Sequence, residues 1–96
     1  MYNLTAPSQV RSLLDQHGFH TKKSLGQNFL IDRNILDRIV DTAGLSQDSY
    51  VMEVGPGIGT LTLALSEAAA QVAAVEIDGR LIPILRETTA GRDNIT

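Results

Sequence analysis

The 96-residue sequence predicts an α/β domain built on a parallel strand–helix–strand unit. Three observations carry that reading. A short apolar run at 50–54 breaks into three alternate glycines, Gly55, Gly57 and Gly59, and then into an apolar helical stretch. A second apolar run at 71–75 ends in an acid, Glu76, 21 residues after Gly55. Strand, glycine loop, helix and strand within about 27 residues form a βαβ unit, whose crossover is right-handed in nearly all cases and makes the strands parallel.

The elements follow in order. Thr5 precedes Ala6 and Pro7, and Val10, Leu13, Leu14 and His17 recur at i, i+3, i+4 and i+7 before Gly18. A polar capping residue, a first-turn proline, the helical period and a stopping glycine predict a helix of about three turns. Residues 19–30 have neither helical nor alternating periodicity. With apolar anchors at Phe19, Leu25, Phe29 and Leu30, they read as a loop strapped onto the domain, a type of segment that often covers a site.

Asp32 is the expected N-cap of a second helix over 33–43. Leu36, Ile39, Val40 and Ala43 supply its apolar stripe, Ile35 widens it, and Gly44 ends it. Residues 45–49 are a polar turn. In the strand at 50–54 only Glu53 is charged, which predicts cover on both faces. The helix over 60–69 is apolar nearly all round and should be well buried. After the second strand, Asp78 opens a further helical stretch, and Pro83 requires either a start near Leu81 or a bend. Residues 91–96 are polar and stand where another strand would begin.

Two parallel strands cannot close a sheet, so the chain reads as the amino-terminal part of one larger domain. Within it, 1–31 form a helix and a cofactor-covering loop, and 32–96 a helix and the first βαβ unit. Composition fits that picture: 43% hydrophobic residues, no cysteine, no tryptophan and a formal charge of −3. The absence of cysteine excludes disulfides and thiolate metal sites, and no spacing of His17 and His20 with other residues suits a metal. No signal peptide and no apolar stretch of the ~20 residues that a membrane span needs is visible, so a cytoplasmic chain is expected. Net acidity argues against a basic nucleic-acid footprint over the whole domain.

Gly55, Gly57 and Gly59 let backbone approach a ligand, and the helix that follows offers free N–H groups and a positive dipole end. Their spacing disfavours a dinucleotide, since the G-x-G-x-x-G pattern would need glycine where Thr60 or Thr62 stands. No glycine-lysine-serine or glycine-lysine-threonine sequence follows, so the ATP phosphate loop fails as well. The remaining form, Glu53 two residues ahead of three alternate glycines, is typical of S-adenosylmethionine sites. Glu76, at the carboxyl end of the second strand, can accept hydrogen bonds from both ribose hydroxyls of an adenosine. Glu53 either meets the ligand's ammonium group or orients the loop through backbone N–H groups. Lys22 and Lys23 are candidate RNA contacts, although two charges alone are too few to establish nucleic-acid binding.

Lys22-Lys23-Ser24-Leu25-Gly26-Gln27-Asn28-Phe29-Leu30, followed by Glu53-Val54-Gly55-Pro56-Gly57-Ile58-Gly59-Thr60 and Val75-Glu76-Ile77-Asp78, closely resembles the ribosomal RNA adenine N6,N6-dimethyltransferases. The resemblance implies an incomplete Rossmann-like fold of S-adenosylmethionine-dependent methyltransferases. It also implies dimethylation of two adjacent adenines near the 3′ end of small-subunit ribosomal RNA, by a monomer acting on the immature small ribosomal subunit, with no metal or membrane partner. Asn28, Leu30 and Gln27 would contact the cofactor, Gly55 and its neighbours the methionine end, Glu76 the ribose and Ile77 the adenine. Lys22 to Gly26 and the Gly-Pro-Gly-Ile-Gly loop resemble the small-subunit enzymes more than the macrolide-resistance methyltransferases of large-subunit RNA. The family's Asn-Leu-Pro-Tyr-like catalytic motif has no counterpart in these residues, so no catalytic residue is assigned and the chain alone is expected to be inactive. A non-catalytic cofactor- or RNA-binding module and a nicotinamide enzyme are the rival readings.

Overall fold

A computed structural model describes residues 3–19, 29 and 31–96. Its elements run α1 (Pro7–Gln16), α2 (Arg33–Ala43), β1 (Tyr50–Val54), α3 (Thr60–Ala68), β2 (Gln71–Val75) and α4 (Ile82–Thr89). The loop expected over 19–30 lies, apart from Phe19 and Phe29, outside the described residues.

Helix α1 begins with its proline but without the polar cap that the sequence suggests. Ala6, whose side chain has no acceptor, is the N-cap, and Thr5 stands one residue too early, its hydroxyl donating to Asn3 Oδ1. Its end is better secured: Gly18 N–H donates to Asp15 O (3.1 Å) and Phe19 N–H to Leu14 O (2.9 Å). That pair of bonds satisfies the last carbonyls and turns Phe19 back onto the core beside Leu14. Helix α2 starts as expected on Asp32, whose carboxylate accepts Asn34 N–H at 2.8 Å, and stops at Gly44. Pro83 is accommodated by a late start, within the first two positions of α4, where no hydrogen bond is lost.

Strands β1 and β2 pair in parallel, Tyr50 opposite Gln71 through Val54 opposite Val75. Across β2, Val72 and Ala74 donate their N–H groups to Asn94 O (2.8 Å) and Thr96 O (2.9 Å). Residues 94–96 thus start a third parallel line of chain, bridged at Val72 and Ile95, at the place where the polar tail suggested a strand.

The core lies on one side of this sheet. Val10, Leu13 and Leu14 of α1 meet Ile58, Leu63, Leu81 and Ile84, while Leu65, Ala69 and Val72 form a second cluster with Val40 and Val51 packed against it. Helix α3 is buried as predicted, through Thr60, Thr62, Leu63, Leu65 and Ser66. The expectation of cover on both faces of β1 fails. Tyr50, Met52 and Val54 are 81%, 72% and 78% exposed, and Val75 and Ile77 are exposed beside them. The helices all pack on the face that carries Val51, Glu53 and Val72, so the alternate residues of each strand meet solvent. Helix α2 is likewise broader in apolar stripe than in contact: Leu36 is buried, whereas Ile35 and Ile39 are exposed.

Candidate cofactor-binding site

The strand β1 ladder runs one residue past its end, where Gly55 N–H donates to Val75 O at 2.9 Å. The chain then turns sharply into α3. Gly57 adopts φ +60° and Gly59 φ +99°, left-handed conformations that side-chain-bearing residues rarely take. Beside this turn lies a groove of about 260 Å³ whose lining includes Phe29, Ile31, Glu53, Gly55, Gly57 and Thr60.

Two carboxylates flank it in different ways. Glu76 follows β2 directly and clamps the loop: Oε1 accepts Gly57 N–H and Oε2 accepts Asp78 N–H, each at 3.0 Å. Glu53 faces α3, where its Oε1 accepts the hydroxyl of Thr62, a residue with no exposed surface. Of the two roles open to Glu53 from sequence, loop orientation through backbone N–H groups is not what its bonding shows; the partner is a helix side chain. Burial pushes the Glu53 carboxyl above its ordinary value, and the Thr62 hydrogen bond, which favours the charged form, opposes that rise.

The three glycines divide the work. Gly57 lines the groove under Phe29, and a Cβ there would stand 3.7 Å from Phe29 Cδ1. Gly55 is open on that side, with nothing within 4 Å of an added Cβ. Gly59 turns instead toward α4: an added Cβ would fall 2.8 Å from Thr88 Oγ1 and 3.1 Å from Leu85 Cδ1. Its role in the structure is close packing of the loop on α4. Ile77 is 95% exposed just beyond Glu76. Lys22, Lys23, Gln27, Asn28 and Leu30 lie outside the described residues.

Sequence reading passed over Thr60 and Thr62. The Thr60 hydroxyl is buried on the groove wall without a hydrogen-bond partner among the described residues. A signal existed for Thr62, as a buried-face hydroxyl in the first turn of a helix whose other inward positions are mainly leucine and alanine. Asp78 is held in place by Arg80, whose guanidinium bonds both its oxygens (3.1 and 2.9 Å) and lies 5.5 Å over the Phe19 ring. The Arg80 hydrogen bonds hold the Asp78 carboxyl below its ordinary value. Chemically the site offers the unpaired N–H groups and positive dipole end of α3 to an anion, and two placed carboxylates to a cation or to hydroxyls. Among the described residues no His, Cys, Asp and Glu group could hold a metal ion, and no helix is long and apolar enough to cross a membrane.

The sequence profile described as "Ribosomal RNA adenine dimethylase" matches residues 18–96. The chain is 56% identical over 93 residues to ribosomal RNA small subunit methyltransferase A of Enterococcus faecalis, covering 97% of this chain and 32% of that protein. It thus spans about a third of the length of the curated relatives it matches. Among solved structures, the 23S rRNA methyltransferase ErmE superposes with a TM-score of 0.64 at 48% identity, over 68% of this chain and 27% of that one. A dimethyladenosine transferase from Plasmodium falciparum gives 0.61 at 32% identity, over 67% and 24%. The α/β architecture is therefore part of the Rossmann-like methyltransferase fold.

Proposed function

The chain belongs to the ribosomal RNA adenine dimethylase family, and from that premise we propose that it forms the cofactor-holding part of a small-subunit ribosomal RNA adenine N6,N6-dimethyltransferase. The reaction would place two methyl groups on each of two adjacent adenines near the 3′ end of that RNA, during assembly of the small ribosomal subunit, in the cytoplasm and by a monomer. The observation that carries the cofactor assignment is the Glu76 carboxylate joined to Gly57 N–H at the groove. It sets a ribose acceptor and a glycine loop side by side, as an adenosine-bearing ligand requires.

The residues present fit S-adenosylmethionine. The orphaned Thr60 hydroxyl and the N-terminus of α3 suit the methionine carboxylate, and Glu53 suits its ammonium group. Glu76 suits the ribose hydroxyls, and the exposed aliphatic side chain of Ile77 offers a surface for the adenine. By the family resemblance alone, Gln27, Asn28 and Leu30 are assigned to cofactor contact and Lys22 and Lys23 to the RNA. When bound, the cofactor supplies an activated methyl group on a sulfonium. The protein's task is then positioning and placed hydrogen-bond acceptors rather than a strong base.

A second reading, methylation of large-subunit RNA, is favoured by the likeness to ErmE. The more extensive identity to small-subunit enzymes supports the first. Transfer of labelled methyl groups by the full-length protein to small-subunit and large-subunit RNA separates them. Dimethyladenine in the small-subunit RNA is expected, and label confined to large-subunit RNA would overturn the assignment.

A further inference from the structure

Hydroxyl groups inside helices ordinarily donate to a carbonyl three or four residues back. Ser66 does so to Leu63 O at 2.7 Å, and Thr88 and Thr89 both do so to Leu85 O, at 3.1 and 2.7 Å. Thr62 departs from this habit. From the first turn of α3 it donates out of its own helix to Glu53 on β1.

The carbonyls three and four residues before it carry other donors: Gly59 O accepts Leu63 N–H at 3.0 Å, and Ile58 O accepts the Thr88 hydroxyl of α4 at 2.7 Å. The Thr62 hydroxyl donates to the Glu53 carboxylate, which lines the groove.

We propose that Thr62 is a positioning residue for cofactor binding: it fixes one oxygen of Glu53, so that the carboxylate is held ready for the cofactor's ammonium group. The inference rests on the reading that Glu53 meets that ammonium group. Its physical content is that the hydrogen bond both orders a flexible side chain before binding and favours its ionised form. Burial works against ionisation here, and Thr62 is the group that opposes it. Around Glu53 the strand neighbour in register is Ala74, and no other ionisable side chain among the described residues lines the groove. Glu76, the other carboxylate of the site, is tied to Gly57 and Asp78 N–H groups.

The test compares Thr62→Val, Thr62→Ser and Glu53→Gln in the full-length protein. S-adenosylmethionine affinity is measured by calorimetry from mildly acidic to neutral pH, with the Glu53 carboxyl titrated by ¹³C NMR. Thr62→Val should weaken binding roughly tenfold or more at neutral pH, the range for losing a hydrogen bond to a charged group. It should also move the acid limb of affinity and the Glu53 titration to higher pH. Thr62→Ser should restore both. If Glu53→Gln leaves affinity unchanged, the ammonium assignment fails. If Glu53→Gln weakens binding while Thr62→Val keeps the parent affinity and pH profile, the positioning role is refuted. Should Thr62→Val not fold, Thr62→Ala takes its place in the same comparison, with the same outcomes.

Discussion

Replacing Gly59 by alanine should damage the fold, whereas the same change at Gly55 should damage ligand binding. At Gly59 the backbone stands at φ +99°, which costs a side-chain-bearing residue about 1–2 kcal/mol. The new methyl would also sit 2.8 Å from Thr88 Oγ1 and 3.1 Å from Leu85 Cδ1. Neither atom is at the end of a long flexible chain: Thr88 is buried and holds Ile58 O at 2.7 Å. Overpacking of that kind adds about 1–3 kcal/mol, for a total of roughly 2–5 kcal/mol. At Gly55, φ is +73° and nothing lies within 4 Å of an added Cβ, which leaves only the conformational penalty of about 1–2 kcal/mol. Urea denaturation of both variants is the assay. The Gly59→Ala midpoint should fall by roughly 1–2 M and by clearly more than that of Gly55→Ala. Equal midpoints would refute the division of labour among the glycines, because they would mean that the Thr88 contact exerts no constraint.

Three further outcomes follow from the same geometry. Glu76→Ala should weaken S-adenosylmethionine binding by about 1.5–3 kcal/mol, the range for hydrogen bonds to charged groups. Unchanged affinity in a calorimetric titration would remove the ribose assignment. Glu53→Gln should make the protein more stable at neutral pH. Burial raises the folded-state pKa of Glu53 above its unfolded value, so the stability linked to its protonation is present at low pH and lost as pH rises through the folded pKa. Parent and variant should therefore converge on acidification, and denaturation midpoints that stay equal at neutral pH would contradict this. On the open sheet face, Met52→Lys in the 96-residue chain should change stability by no more than about 0.5 kcal/mol, as for an ordinary surface substitution. A larger loss in its thermal melt would mean that this face is covered by a second copy of the chain.

Most of the fold was legible because its signals are local. Asp32 and Gly44 bracket α2, the 3.6-residue period marks α1, and the break from 50–54 into glycines marks the turn into α3. Pro83 was ambiguous because one residue cannot reveal where the first turn begins; the late start of α4 resolves it. Thr5 misled for a related reason: the helix starts one residue later than its position suits, so its oxygen is not the one placed to accept the N–H of N2 or N3, and its hydroxyl donates to Asn3 instead. The open sheet face was not legible at all. A run such as Tyr50 to Val54 records that the strand is apolar on both sides, and says nothing of which side its own neighbours cover.

The same distinction applies within the site. Gly55, Gly57, Gly59, Glu53 and Glu76 were found as residue types at set spacings, yet their spacing is silent on which groups they face. Gly59 proves to serve α4, and Glu53 to serve as acceptor for a helix hydroxyl. The first of these contacts brings in α4, which reaches Gly59 through Thr88 and Leu85 and holds Ile58 O. The anchors of α4 are Ile84, which is fully buried, and Leu81. The glycine loop is therefore shaped from the helix-covered side of the sheet, by an element 30 residues downstream in sequence. A change confined to the open face, at Tyr50, Met52 or Val54, should leave the Glu53–Thr62 and Glu76–Gly57 bonds intact, whereas a change at Thr88 should reach the loop at Ile58 and Gly59.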